Sequence, residues 1–252
     1  MAVTRGDAAS ASGCGWRVEP GEETMELQPQ HGGFVIWITG MQGAGKSTLA
    51  HHLHKRLTAA GRPVELFDAD DAEQILVKGL GHGKEDRDTA VRRVGHVARL
   101  LARHGAVVVV AALSPYREPR EQLRREVRRF VEVFADCKME TLQQRSDVYR
   151  RAMAQEIQNV AGVDDPYEPP THPDVLLHTD AERADASVLR ILQALVDAKY
   201  IGPTEFGRLT GGQKPKKAAK GKPARGGKGK GAARARPGAR NAAARAGARK
   251  RR

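Results

Sequence analysis

Phe34-Val-Ile-Trp-Ile-Thr-Gly40-Met-Gln-Gly-Ala-Gly-Lys46-Ser47 begins as an apolar run and ends in glycines, a lysine and a serine. Phe34 to Ile38 has almost no polar residue, which suits a parallel strand buried on both faces. Gly40 to Ser47 fits G-x-x-x-x-G-K-[ST] without a mismatch. Glycines at those places let successive backbone N–H groups turn inward around phosphates, and the helix that follows adds its positive N-terminal end. The pattern therefore predicts a nucleotide cradle built from Gly40, Met41, Gln42, Gly43, Ala44, Gly45, Lys46, Ser47 and Thr48. Lys46 is expected at the β- and γ-phosphates of ATP and the Ser47 hydroxyl on Mg²⁺. Context supports the motif, because Leu49, Leu53 and Leu57 form one stripe of a helix that stops at Gly61.

Outward from this stretch the chain alternates. Val64–Phe67 predicts a second strand, and Arg87–His104 a helix with Val91, Val94, Ala98 and Leu101 on one face. Ala106–Leu113 is a valine-rich buried strand, followed by a basic helix over Arg120–Arg129 and a strand over Phe130–Phe134. A strand at Val175–Leu177 and a helix over about Glu182–Ala198 close the pattern. Strands alternating with helices predict an α/β fold of P-loop kinase type, a parallel β-sheet sandwiched between helices. Domain limits of 33–206 follow, with a flexible leader over 1–32 and a disordered basic tail over 207–252.

Charge divides the same way. The formal net charge is +13, yet 17 of the 43 Lys and Arg lie in residues 208–252, where there is no Asp or Glu. The remaining 26 basic side chains face 30 acidic ones, so residues 1–207 are slightly acidic. Cys14 and Cys137 are too few for a disulfide framework and suit free thiols in a reducing compartment. The leader carries Asp7, Glu19, Glu22 and Glu23 with no continuous apolar core, so a secretory signal is not expected. No apolar run approaches the roughly 18 residues of a membrane span. A cytoplasmic protein is the expectation.

Asp68-Ala-Asp70-Asp71 falls at the carboxyl end of the second predicted strand, the edge that faces the ligand crevice in a doubly wound sheet. Phosphoryl transfer needs carboxylates there, one to hold Mg²⁺ and one to take the acceptor's proton. Asp68 and Asp70, with Lys46, are thus candidates for the chemistry, and Ser47 and Asp68 for the metal.

Three further segments carry a resemblance: Asp86-Arg87 with Arg92-Arg93, Ser114-Pro-Tyr-Arg117, and Asp164-Asp-Pro-Tyr-Glu168. With the phosphate loop they make the chain, from about Phe34 to Ile201, similar to adenylyl-sulfate kinases, which phosphorylate the 3′-hydroxyl of adenosine 5′-phosphosulfate. The resemblance implies Asp70 as the base at that hydroxyl. It places Arg87 and Arg92 at the phosphosulfate, a role that suits forked, permanently charged guanidinium groups. His82, Ser114, Arg117 and Asp165 are implied on the acceptor side, and Arg145 near the nucleotide. Ser114 matches a serine often labelled a phosphoserine intermediate, though no base is evident to activate it and direct in-line transfer is expected. Family members are commonly dimers.

Departures cluster on the acceptor side. Glu73 stands where the family has arginine, Ala90 where it has asparagine and Gln158 where it has lysine. His82 and Val160 replace two phenylalanines that sandwich the acceptor's adenine. Two alternatives therefore stay open: a kinase for another nucleotide-like hydroxyl, and a nucleotide-binding protein without turnover that meets nucleic acid through its tail. The 16 positive charges after Gln213 would attract polyanions by counterion release, or simply keep the chain soluble. His51, His52 and His54 are expected as surface residues, Trp37 as core, and Arg124, Arg125, Arg128 and Arg129 as a solvated helix face.

Overall fold

A computed structural model of the chain describes residues 32–68 and 75–212. The predicted leader up to residue 31, the tail from residue 213, Asp70 and Glu73 lie outside the described residues. Strand β1 (Phe34–Thr39) is buried at every position and forms the middle of a five-stranded sheet. The others are β2 (Val64–Phe67), β3 (Val107–Ala111), β4 (Phe130–Asp136) and β5 (Val175–His178), in the order β2-β3-β1-β4-β5. All pairings are parallel. An all-parallel sheet needs cover on both faces, and the chain supplies it in its crossovers. On one face Phe34, Ile36 and Ile38 meet Leu49, Leu53 and Leu57 of α1 (Lys46–Ala59). Val188, Ile191, Leu192 and Leu195 of a later helix, Ala184–Asp197, complete that core. On the other face Val35 and Trp37 pack with Val91, Val94 and Ala98 of α2 (Lys84–Arg103) and Leu123 of α3 (Arg117–Glu126). This is the layered α/β arrangement the alternation predicts, with Trp37 in the core.

Differences from the sequence expectation have local causes. Helix α3 starts and ends three residues earlier than predicted: it spans Arg117–Glu126, and Val127 is already extended. Pro119 falls in its first turn, where the missing N–H costs nothing. Arg128 and Arg129 therefore leave the helix, and the expected solvated face is real only at exposed Arg125 and Arg128. Arg124 instead pairs with Glu132 and Asp174, and Arg129 lies 4.6 Å over the Tyr200 ring. Three short helices had no periodic signal: α4 (Met139–Arg145), α5 (Asp147–Met153) and, after α6 (Ala184–Asp197), α7 (Pro203–Leu209). Tertiary burial holds each one, through Leu142, through Tyr149 and Ala152, and through Phe206 and Leu209. Helix α7 runs across the limit drawn at residue 206 because Phe206 and Leu209 sit in the core. Among the described residues no helix is long and apolar enough to cross a membrane.

The carboxyl ends of the strands lead into Gly40, Asp68, Ala112 to Ser114, Cys137 and Thr179, so this edge gathers the predicted site residues.

Candidate active site

Gly40 begins the loop in a place only glycine fits, since a Cβ there would lie 2.4 Å from the Ala135 carbonyl oxygen. Gly45 closes it with φ +86°, a left-handed conformation that sends the chain straight into α1. Between them Ala44 N donates to Met41 O at 3.1 Å. Lys46 folds back over the loop, its Nζ donating to Met41 O at 3.0 Å. Enclosure there pushes the lysine pKa down to about 8, and the nearby Asp68 carboxylate offsets part of that fall.

Ser47 Oγ donates to Asp68 Oδ1 at 2.9 Å, joining the first turn of α1 to the end of β2. His51, one turn further along α1, brings Nε2 to 3.5 Å from Asp68 Oδ2. The surface expectation for the three histidines missed this contact, because nothing in the local sequence shows where β2 ends relative to α1. A hydroxyl and a carboxylate side by side, next to an ammonium group, form the hard oxygen pair that Mg²⁺ takes alongside phosphate oxygens and water. The predicted metal residues Ser47 and Asp68 therefore fit the ion on donor chemistry. Arg145 ends α4 beside this loop: a Cβ on Gly43 would lie 3.9 Å from that of Arg145. Its guanidinium donates to Thr179 O at 2.9 Å.

Across the same edge, Arg87 sits in the first turn of α2 and is held on three sides. Nε donates to His82 O at 2.8 Å, Nη2 to Asn159 O at 2.6 Å, and Nη1 faces Asp165 Oδ2 at 3.0 Å. Tyr116 OH donates to Asp165 Oδ1 at 2.9 Å. Asp164 accepts the backbone N–H groups of Val160 and Asn159, which hold its carboxyl below the usual range. Thus Arg87, His82 and Asp165 come together. Arg117 lies beside them, its N–H on the Glu168 carboxylate at 2.8 Å and its guanidinium on Pro169 O at 3.2 Å. Arg92 is exposed and donates to Thr89 Oγ1 at 3.3 Å. Val160 is buried and belongs to the core cluster.

Ser114 has φ +36° and is buried. Its hydroxyl accepts from Trp37 Nε1 and donates to Thr39 Oγ1, both at 3.0 Å, and its carbonyl accepts from Arg120. Sequence reasoning missed Thr39, Tyr116, Tyr167, and Arg120 with its partner Glu132. Tyr116 and Tyr167 stood inside quoted motifs, but their contacts join segments far apart in the chain.

Residues 32–178 match the family model for adenylylsulphate kinase. The chain belongs to the adenylylsulphate kinase family. It is 45% identical over 176 residues to the adenylyl-sulfate kinase of Picosynechococcus sp., covering 69% of this chain and 99% of that protein. The adenylyl-sulfate kinase of Gloeothece citriformis is 47% identical over 171 residues, 67% of this chain and 97% of that protein. The solved structure of the Mycobacterium tuberculosis APS kinase CysC, in complex with AMPPNP and APS, aligns with a TM-score of 0.63 at 32% identity. That alignment covers 66% of this chain and 99% of that chain. Membership of the family makes this chain an ATP-dependent phosphotransferase of adenylyl-sulfate kinase type.

Proposed function

We propose that this adenylylsulphate kinase family member phosphorylates the 3′-hydroxyl of adenosine 5′-phosphosulfate with Mg·ATP, yielding 3′-phosphoadenylyl sulfate and ADP for sulfate assimilation in the cytoplasm. The observation that supports it is the Ser47–Asp68 hydrogen bond beside Lys46, which brings these three residues together at one sheet edge. Loop N–H groups and the α1 N-terminus hold the triphosphate, and Lys46 moves from Met41 O to the β- and γ-phosphate oxygens. Ser47 and Asp68 hold Mg²⁺, which when bound neutralises charge on the transferring group. Arg145 lies against the nucleotide. On the acceptor side Arg87 turns its guanidinium from backbone carbonyls to the phosphosulfate, with Arg92, Arg117, His82 and Asp165 around it. The 3′-oxygen attacks phosphorus in line as the bond from phosphorus to the β,γ-bridging oxygen breaks, and Asp70 takes the hydroxyl proton. Ser114 supports this wall without reacting, because its hydroxyl is already engaged by Trp37 and Thr39. Positioning and charge neutralisation supply most of the rate.

The burial of Val160 favours a second reading, in which another nucleotide-like hydroxyl is the acceptor. ADP release with Mg·ATP against an acceptor panel tests both. Rapid turnover with adenosine 5′-phosphosulfate is expected, activity only with another compound selects the second reading, and nucleotide binding without acceptor-stimulated turnover overturns both. A family-type dimer and salt-sensitive nucleic-acid binding by the basic tail are separate proposals, checked by sedimentation and by comparing the full chain with a truncation after Gly212, which keeps Leu209 in the core.

A further inference from the structure

The phosphate loop and the acceptor side share a partly buried hydroxyl contact. Thr39 is the last residue of β1, immediately before Gly40, and is fully buried. Its Oγ1 donates to Leu113 O at 2.9 Å and accepts from Ser114 Oγ at 3.0 Å. A hydroxyl has one proton and two lone pairs, so the remaining lone pair is free to accept from Tyr167 OH, 3.1 Å away. The Tyr167 ring is held independently by stacking on Phe134, with centroids 6.0 Å apart. Burial pushes the Tyr167 phenol up to about 12, despite the Thr39 contact, so it stays a proton donor at any working pH.

Tyr167 stands two residues after Asp165, whose carboxylate orients Tyr116 and Arg87. The next residue, Glu168, is tied to Pro115 O through its N–H and to Arg117 N through its carboxylate. Little slack therefore separates the phosphate loop from Arg87.

We propose that Tyr167 is a positioning residue whose hydroxyl, through Thr39, links nucleotide occupancy of the loop to the placement of Asp165 and Arg87, so that nucleotide and acceptor bind with positive coupling. This rests on the proposed acceptor. Tyr167 acts through Asp165 and is not itself a catalytic residue.

Calorimetric titration of adenosine 5′-phosphosulfate into the full chain, with and without Mg²⁺ and a non-hydrolysable ATP analogue, tests it. In the wild type the nucleotide is expected to tighten acceptor binding by about fivefold or more, and the acceptor to tighten nucleotide binding by the same factor. Tyr167→Phe keeps the ring stack and removes only the donor, and coupling is expected to fall to within about twofold of none. Thr39→Val breaks the same contact from the other side and is expected to do the same. Wild type without coupling, either variant retaining it, or a variant that weakens acceptor binding equally in both states overturns the inference. The proposed function is judged separately by wild-type turnover. An enzyme that turns over adenosine 5′-phosphosulfate without coupling sinks only the Tyr167 role, whereas one that neither binds nor uses it sinks the function.

Discussion

Ser47 Oγ and Asp68 Oδ1, 2.9 Å apart, connect the helix that receives phosphate to the strand that carries the acid. The bond leaves the second carboxylate oxygen facing His51. In the proposed metal site a divalent cation would meet the Asp68 charge that the Ser47 hydroxyl now faces. Asp68→Asn keeps the shape and the hydrogen bond but removes the negative charge. The Mg²⁺ concentration for half-maximal turnover is expected to rise more than about tenfold, with kcat down by about 10²-fold. Turnover measured against Mg²⁺ at saturating ATP checks this, and an unchanged metal requirement would remove Asp68 from the metal site.

Lys46 supplies a pH signature. Its folded pKa is lowered to about 8 from 10.5, chiefly because the loop encloses it. Between those two values the unfolded chain holds a proton that the native chain lacks, so the cost of enclosing the charge is fully present below pH 8 and fades as pH rises. Nucleotide binding has the opposite slope, since bound phosphates favour the charged lysine. Affinity for ATP is expected to be flat below pH 8 and to weaken by about tenfold per pH unit above it. Lys46→Met should bind weakly and without that slope. Equilibrium titrations from pH 7 to 10 with a fluorescent ATP analogue decide the matter.

Arg87 donates to two carbonyls, His82 O and Asn159 O, and forms an ion pair with Asp165. Only a planar fork with several N–H groups satisfies them together, and the same fork suits an oxyanion. Arg87→Lys keeps the charge and loses the fork. The acceptor KM is expected to rise more than about tenfold while the ATP KM stays within about twofold. Equal changes in both constants would show that Arg87 serves the fold instead of the acceptor.

The sheet, the phosphate loop and its helix were legible because Phe34 to Ile38 has the composition of a doubly covered strand and Leu49, Leu53 and Leu57 mark one helix face. Asp68 was legible because it follows Phe67 at the end of a recognisable strand. Helices α4, α5 and α7 have seven residues each and rest on one or two buried side chains, too short for a period to emerge. The Thr39–Tyr167 contact spans 128 residues, and no local pattern announces a pairing at that distance. Arg124 and Arg129 were misjudged for a related reason. Their partners Glu132, Asp174 and Tyr200 come from other segments, so charge density alone suggested solvent.

Arg120 and Glu132 form an ion pair with almost no solvent access, at 3.0 Å. Arg120 also donates to Ser114 O, to Tyr116 O at 3.0 Å and to Glu168 O at 2.6 Å, so it fastens β4 to both acceptor-side turns. Glu132 takes a second guanidinium, Arg124, at 3.2 Å. Replacing both partners by apolar groups could be neutral, because a buried pair is offset by its own desolvation. Removing one charge leaves the other without compensation. Glu132→Gln, which keeps the volume, is therefore expected to cost about 3 kcal/mol, with Tm lower by roughly 10 °C. Urea unfolding of the two proteins measures the difference. A Glu132→Gln protein as stable as the wild type would mean that the backbone carbonyls alone satisfy Arg120.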